Sequence, residues 1–133
     1  GRLQLDYIDL LYVHQPVGDF VGAWKDMEKA VAMGKVRVLG ISNFDASDEV
    51  FDKIMRESVV KPAVLQMECH PYAQRLAMRE KAKRYGIYVT SWFPLGGAMS
   101  KGALLKEERF FNMSLEEKER AYLGNMQIPA ERK

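Results

Sequence analysis

Residues 7–41 read YIDLLYVHQPVGDFVGAWKDMEKAVAMGKVRVLGI, and two different periods run through them. The ends, 7–14 and 36–41, are apolar and β-branched, the composition of strands. Between them Phe20, Trp24, Met27 and Val31 recur every three or four residues, which lines one face of a helix. Gly34 stands where a left-handed residue closes a helix just before the second strand. The segment is therefore a strand–helix–strand unit, and such a crossover joins parallel strands with right-handed geometry.

Working outward, the unit recurs. Apolar runs at 63–68 (AVLQME) and 88–92 (YVTSW) extend the series, whose starts at 7, 36, 63 and 88 lie 29, 27 and 25 residues apart. Phe51, Ile54 and Met55 form a second helical stripe, and Met78, Ala82 and Tyr85 a third. Asp45 is expected to cap the second helix, with Asp48 in its first turn, and Gly86 to end the third. The fold class is α/β, with about four parallel strands and intervening helices. Both the doubly wound open sheet and the (β/α)8 barrel use such units, a complete barrel taking about 250 residues. Periodicity alone leaves the two open.

A length of 133 residues fits one domain, and a hydrophobic share of 47% is that of a globular protein rather than a disordered one. The net charge of +2 and pI of 8.7 argue against a nucleic-acid partner. The longest uncharged stretch, 86–100, is broken by Pro94 and paired glycines and is shorter than the roughly 20 apolar residues of a membrane helix. It reads as a buried strand and its loop. Cys69 is the single cysteine, so no intrachain disulfide forms and a reducing cytoplasm is the default compartment. The chain enters its first strand without an initiator Met or signal pattern, and is expected to be a fragment or a processed piece. Past residue 92 the pattern changes to a small-residue loop at 96–102, and the capping-box pattern at 114–117 opens a last helix to about Leu123. The expected division is 1–105 for the sheet-forming part and 106–133 for a terminal helix and tail.

In parallel α/β folds functional groups gather at the carboxyl ends of the strands. There the sequence places His14, Ser42 with Asn43, Gln66 to His70, and Trp92. His14 can donate to a substrate oxygen, or simply bond a loop carbonyl. Ser42 and Asn43 can hold a carboxamide or phosphate, while Asn43 is equally a turn former. Gln66 shares a strand face with Val64 and Glu68 and needs a partner from the protein or a ligand. Trp92 can stack on a flat heterocycle or pack in a core. Glu68, Cys69 and His70 are metal-capable types, but with no second cluster we read no zinc site. Arg75, Arg79, Lys81, Lys83 and Arg84 make the third helix basic, interrupted by Glu80 and without interleaved aromatics, as a solvated outer face would be.

The ordered motifs LDYIDLLYVHQP, GKVRVLGISNF, PAVLQMECHPY and GIYVTSWFPLGG resemble those of the aldo-keto reductase family. The resemblance covers roughly residues 1 to 100 and implies strands four to seven of a (β/α)8 TIM barrel that reduces aldehydes or ketones with NADPH or NADH. By it, His14 matches the histidine that polarises the carbonyl. Ser42, Asn43 and Gln66 match the residues that hold the nicotinamide carboxamide, and Trp92 matches the aromatic stacked on the ring. Pro94, Leu95 and Gly96 look like the start of the loop over the pyrophosphate, with Leu95 beside the cofactor. Phe93 replaces what is often a small hydroxyl residue in relatives. The segments bringing the family's catalytic Asp, Tyr and Lys lie upstream of Gly1 in relatives, so the chain alone is expected to be inactive. The partner implied is a small carbonyl compound. A four-stranded parallel piece also leaves two unpaired edges, so a homodimer through them, or a non-catalytic half-barrel used for self-assembly, is the alternative expectation.

Overall fold

The computed structural model describes residues 3–71 and 73–94. Its elements are β1 (Ile8–Val13), α1 (Phe20–Ala32), β2 (Val36–Ser42), α2 (Asp48–Glu57), β3 (Val64–Glu68), α3 (Leu76–Arg84) and β4 (Tyr88–Trp92). The strands are parallel and form one sheet in the order β1-β2-β3-β4. Each strand agrees with its expected run to within one residue at either end. The described residues fall into two compact units, one running to Met67 and resuming over Ala77–Thr90, the other holding Glu68–Leu76 and residues 91–94.

In the first unit the register pairs Leu11 with Leu39 and Val13 with Ile41, so these side chains share one face of the sheet. That face meets the helices: Leu39, Ile41, Leu65 and Met67 pack with Phe20, Trp24, Phe51, Ile54, Met55 and Ala82 in a single core. Phe44, fully buried after β2, lies edge-on to Phe20 at 5.4 Å between ring centroids. The helical stripes of α1 and α2 are thus the buried faces expected of them. Glu28 ties α1 to the segment entering β3, its Oε1 accepting from Trp24 Nε1 (3.1 Å), Val59 N (2.7 Å) and Val60 N (2.8 Å).

The opposite sheet face carries Leu10, Val38, Tyr12, Gly40, Ser42 and Gln66. Leu10 and Val38 are 37% and 38% exposed on it. Tyr12 lies over Gly40, where a Cβ would come within 2.5 Å of its ring.

Three expectations are corrected. The cap of α2 is Ser47, whose Oγ accepts from Val50 N at 3.3 Å, and not Asp45; Asp48 does sit in the first turn. Ser47 takes the place because its extended backbone (φ −155°, ψ 153°) puts the hydroxyl over the open amides of the turn. Tyr85 lies past the end of α3 and is 52% exposed, its ring edging Phe51 at 5.8 Å. The strand at 88–92 is not buried: Tyr88 is 77% exposed, because among the described residues β4 is last in the sheet and has one paired edge. Gly34 (φ 68°) and Gly86 (φ 70°) adopt the left-handed conformation expected of helix-ending residues. Leu95, the helix expected from Ser114 and the tail 106–133 lie outside the described residues.

Candidate active site

Parallel pairing sends the carboxyl ends of β1, β2 and β3 to the same edge of the sheet, and three polar residues stand there. His14 follows the last residue of β1, with its imidazole exposed and making no hydrogen bond or ion pair among the described residues. Ser42 ends β2 and is buried. Gln66 is the register partner of Ser42, so both side chains project from one face. Gln66 is half-buried, and its side-chain amide makes no hydrogen bond among the described residues. A hydroxyl and an uncommitted amide on adjacent strands offer donors and an acceptor to a flat, amide-like group.

Asn43 links these residues. Its Nδ2 donates to the His14 carbonyl at 2.9 Å and to Ser42 Oγ at 3.1 Å, while its backbone N–H donates to the Gln66 carbonyl at 2.9 Å. Its φ of 63° is left-handed, a conformation asparagine tolerates better than most residues. The left-handed turn is the conformation that a turn-forming Asn43 would take, and it leaves the cofactor reading of its side chain open. His14 is bonded through its own carbonyl, not through the imidazole.

Trp92 ends β4 and belongs to the second unit. It is half-buried, and its ring stands edge-on to Phe93 at 4.9 Å. Phe93 has a left-handed φ of 49°, so the chain turns sharply where the strand stops.

The second unit also holds a polar cluster that the sequence reading passed over. Glu68 and His70 are 1% and 5% exposed, with His70 Nε2 3.6 Å from Glu68 Oε1. The Arg75 guanidinium lies 3.8 Å from Glu68 Oε2, and its Nε donates to the Glu68 carbonyl at 3.3 Å. Burial, and then the Arg75 charge, pushes the His70 pKa below its ordinary 6.5. His70 is therefore neutral at pH 7, and its approach to Glu68 is not an ion pair there. No strand periodicity signals this cluster, because His70 lies past the end of β3, and from sequence Glu68 and His70 are weighed only as metal ligands. Among the described residues no group of three or more His, Cys, Asp or Glu side chains is placed to hold a metal ion, and no helix is long and apolar enough to cross a membrane.

Parallel strands alternating with helices, with polar groups at the strand carboxyl ends, match the class of the (β/α)8 barrel proteins, of which this chain is a part. Comparison with known proteins makes the assignment specific. The aldo/keto reductase family profile matches residues 1–132, and the chain belongs to that family. It is similar to the morphine 6-dehydrogenase of Pseudomonas putida, 38% identical over 105 residues that cover 77% of this chain and 35% of that protein. It is also similar to the glyoxal reductase of Bacillus subtilis, 36% identical over 108 residues, 80% of this chain and 37% of that protein. Among solved structures, a mutant of Gox0644 in complex with NADPH superposes with a TM-score of 0.67 at 36% identity, covering 78% of this chain and 37% of the other. The chain spans about a third of the length of the curated relatives it matches.

Proposed function

We propose that the chain forms part of an NAD(P)H-dependent reductase of aldehydes or ketones, and that His14, Ser42, Asn43, Gln66, Trp92 and Leu95 belong to its active site. The observation that carries this reading is the pairing, on one sheet face, of the buried Ser42 hydroxyl with the uncommitted Gln66 amide beside His14. A nicotinamide carboxamide presents an NH2 group and a carbonyl oxygen. The Gln66 amide supplies an acceptor and a donor, and Ser42 Oγ, which already accepts from Asn43, keeps its own proton to donate. The residues fit the group, and the NADPH complex of a family neighbour supports the choice.

When bound, the cofactor supplies the hydride. Ser42 and Gln66 would orient its carboxamide, and the family resemblance gives Trp92 the stacking role on its ring. The exposed His14 imidazole donates a hydrogen bond to the substrate's carbonyl oxygen, drawing electron density away from the carbon. No described tyrosine stands with these groups: Tyr7, Tyr85 and Tyr88 lie at or before the amino ends of strands, and Tyr12 is laid over Gly40. A general acid contributes about 10² to 10⁴ in rate, and with none from a described tyrosine at this edge we expect the chain by itself to be inactive. Mixed with NADPH and simple aldehydes, it is expected to oxidise NADPH no faster than its His14→Ala variant. Turnover clearly above that variant would refute inactivity of the isolated chain. The cytoplasm is the compartment we assign, on cysteine usage alone.

One observation favours a second reading, a non-catalytic half-barrel that self-assembles. Parallel sheets are normally covered on both faces, yet Leu10 and Val38 are over one-third exposed, and β1 has one paired edge among the described residues. In that reading the chain forms a homodimer through its open edges, and light scattering after size-exclusion chromatography reports it as twice the chain mass.

A further inference from the structure

The family resemblance assigns Asn43 to the cofactor, but the structure turns its donors toward the protein. Both Nδ2 hydrogens are engaged, one by the His14 carbonyl and one by Ser42 Oγ, and the backbone N–H is engaged by the Gln66 carbonyl. The β1–β2 ladder ends at Val13 paired with Ile41, and the β2–β3 ladder at Ser42 paired with Gln66. Asn43 stands just past both. Its side chain carries the first ladder one carbonyl further, to residue 14, while its main-chain N–H makes the last bond of the second ladder, to Gln66. The left-handed backbone makes this double reach compatible with the turn into the loop before α2.

We infer that Asn43 is a positioning residue for His14: through the peptide carbonyl of residue 14 it fixes where the imidazole stands relative to Ser42 and Gln66. Its importance for catalysis rests on the function proposed above, but the tie itself belongs to the cofactor-free chain. Few residues can replace it. Aspartate keeps the shape and the tolerance for positive φ but has no donor, and its carboxylate would face the His14 carbonyl oxygen. Glycine keeps the backbone and its bond to Gln66 and loses both side-chain bonds.

The test is triple-resonance NMR of the cofactor-free chain with Asn43→Gly and Asn43→Asp. The His14 carbonyl carbon and the Gln15 amide nitrogen should shift in both variants, as the lost hydrogen bond requires. The Gln66 carbonyl carbon should hold its position in Asn43→Gly, which retains that bond. A role confined to cofactor contact would leave all of these signals in place while weakening NADPH binding, and would overturn the inference. Shifts spread evenly through the sheet, including Gln66, would also overturn it, since they would report general loosening. Should Asn43→Gly not fold, Asn43→Asp decides by the His14 and Gln15 signals. A chain that shows the selective shifts but binds no NADPH would leave the tie standing and defeat the proposed function instead.

Discussion

A methyl group at position 40 would stand 2.5 Å from Cε1 and 2.7 Å from Cδ1 of Tyr12. Gly40→Ala should therefore push the ring aside and destabilise the chain by about 1–3 kcal/mol in urea unfolding, whereas an unchanged midpoint would show the ring to be free to move. Gln66 makes the opposite case. Its amide does nothing for the protein among the described residues, so Gln66→Leu should leave stability within about 0.5 kcal/mol while weakening NADPH binding about five- to tenfold, the worth of one hydrogen bond. Equal affinity in variant and parent would take Gln66 out of the cradle. Trp24 is 1% exposed and donates from Nε1 to Glu28 and to the Val60 carbonyl. Truncating it to alanine removes a core side chain at about 3–5 kcal/mol, so Trp24→Phe is the fitting control when Trp92 fluorescence is used to follow cofactor. Residue identity told which groups stand at strand ends, because parallel strands fix that end. It did not tell where each donor points, so the bonds from Asn43 to the His14 carbonyl and Ser42 Oγ became visible only in three dimensions.

At the scale of elements, the apolar stripes of α1 and α2 were legible because a 3.6-residue period has to bury one face, and Phe20, Trp24, Phe51 and Ile54 are that face. The cap of α2 was less legible, since Asp45 and Ser47 are both good cap residues and only backbone geometry separates them. Glu28, for which the sequence offered no reading, holds two backbone amides 31 and 32 residues away. Glu28→Ala should cost about 2 kcal/mol, with Glu28→Gln, which keeps an acceptor, costing less. The loop after β3 adds a pH dependence. His70 is held neutral below its ordinary pKa of 6.5, so unfolding raises its proton affinity. Its contribution is complete above about pH 6.5 and is lost as the pH falls through the lowered value. Denaturant midpoints measured from about pH 8 down to about pH 5 should fall more steeply for the parent than for His70→Gln. Parallel curves would place the titrating group elsewhere.

At the scale of the whole molecule, the strand spacing gave parallel α/β but not the choice between open sheet and barrel. Periodicity describes one crossover at a time, whereas closure depends on what pairs with the outermost strands. The four ordered motifs carried that choice, and the family match over residues 1–132 agrees with them. The exposed Leu10 and Val38 face follows the same logic: the sequence marks those positions as apolar, but what covers them is not a local property. The account's central claim is that the carboxyl ends of β1, β2 and β3 form a cradle for a nicotinamide. An NMR titration of the chain with NADPH tests it most directly. Saturable shifts concentrated at His14, Ser42, Asn43 and Gln66 are predicted; no saturation, or shifts centred on Tyr7 and Arg37 at the amino ends of β1 and β2, would contradict it.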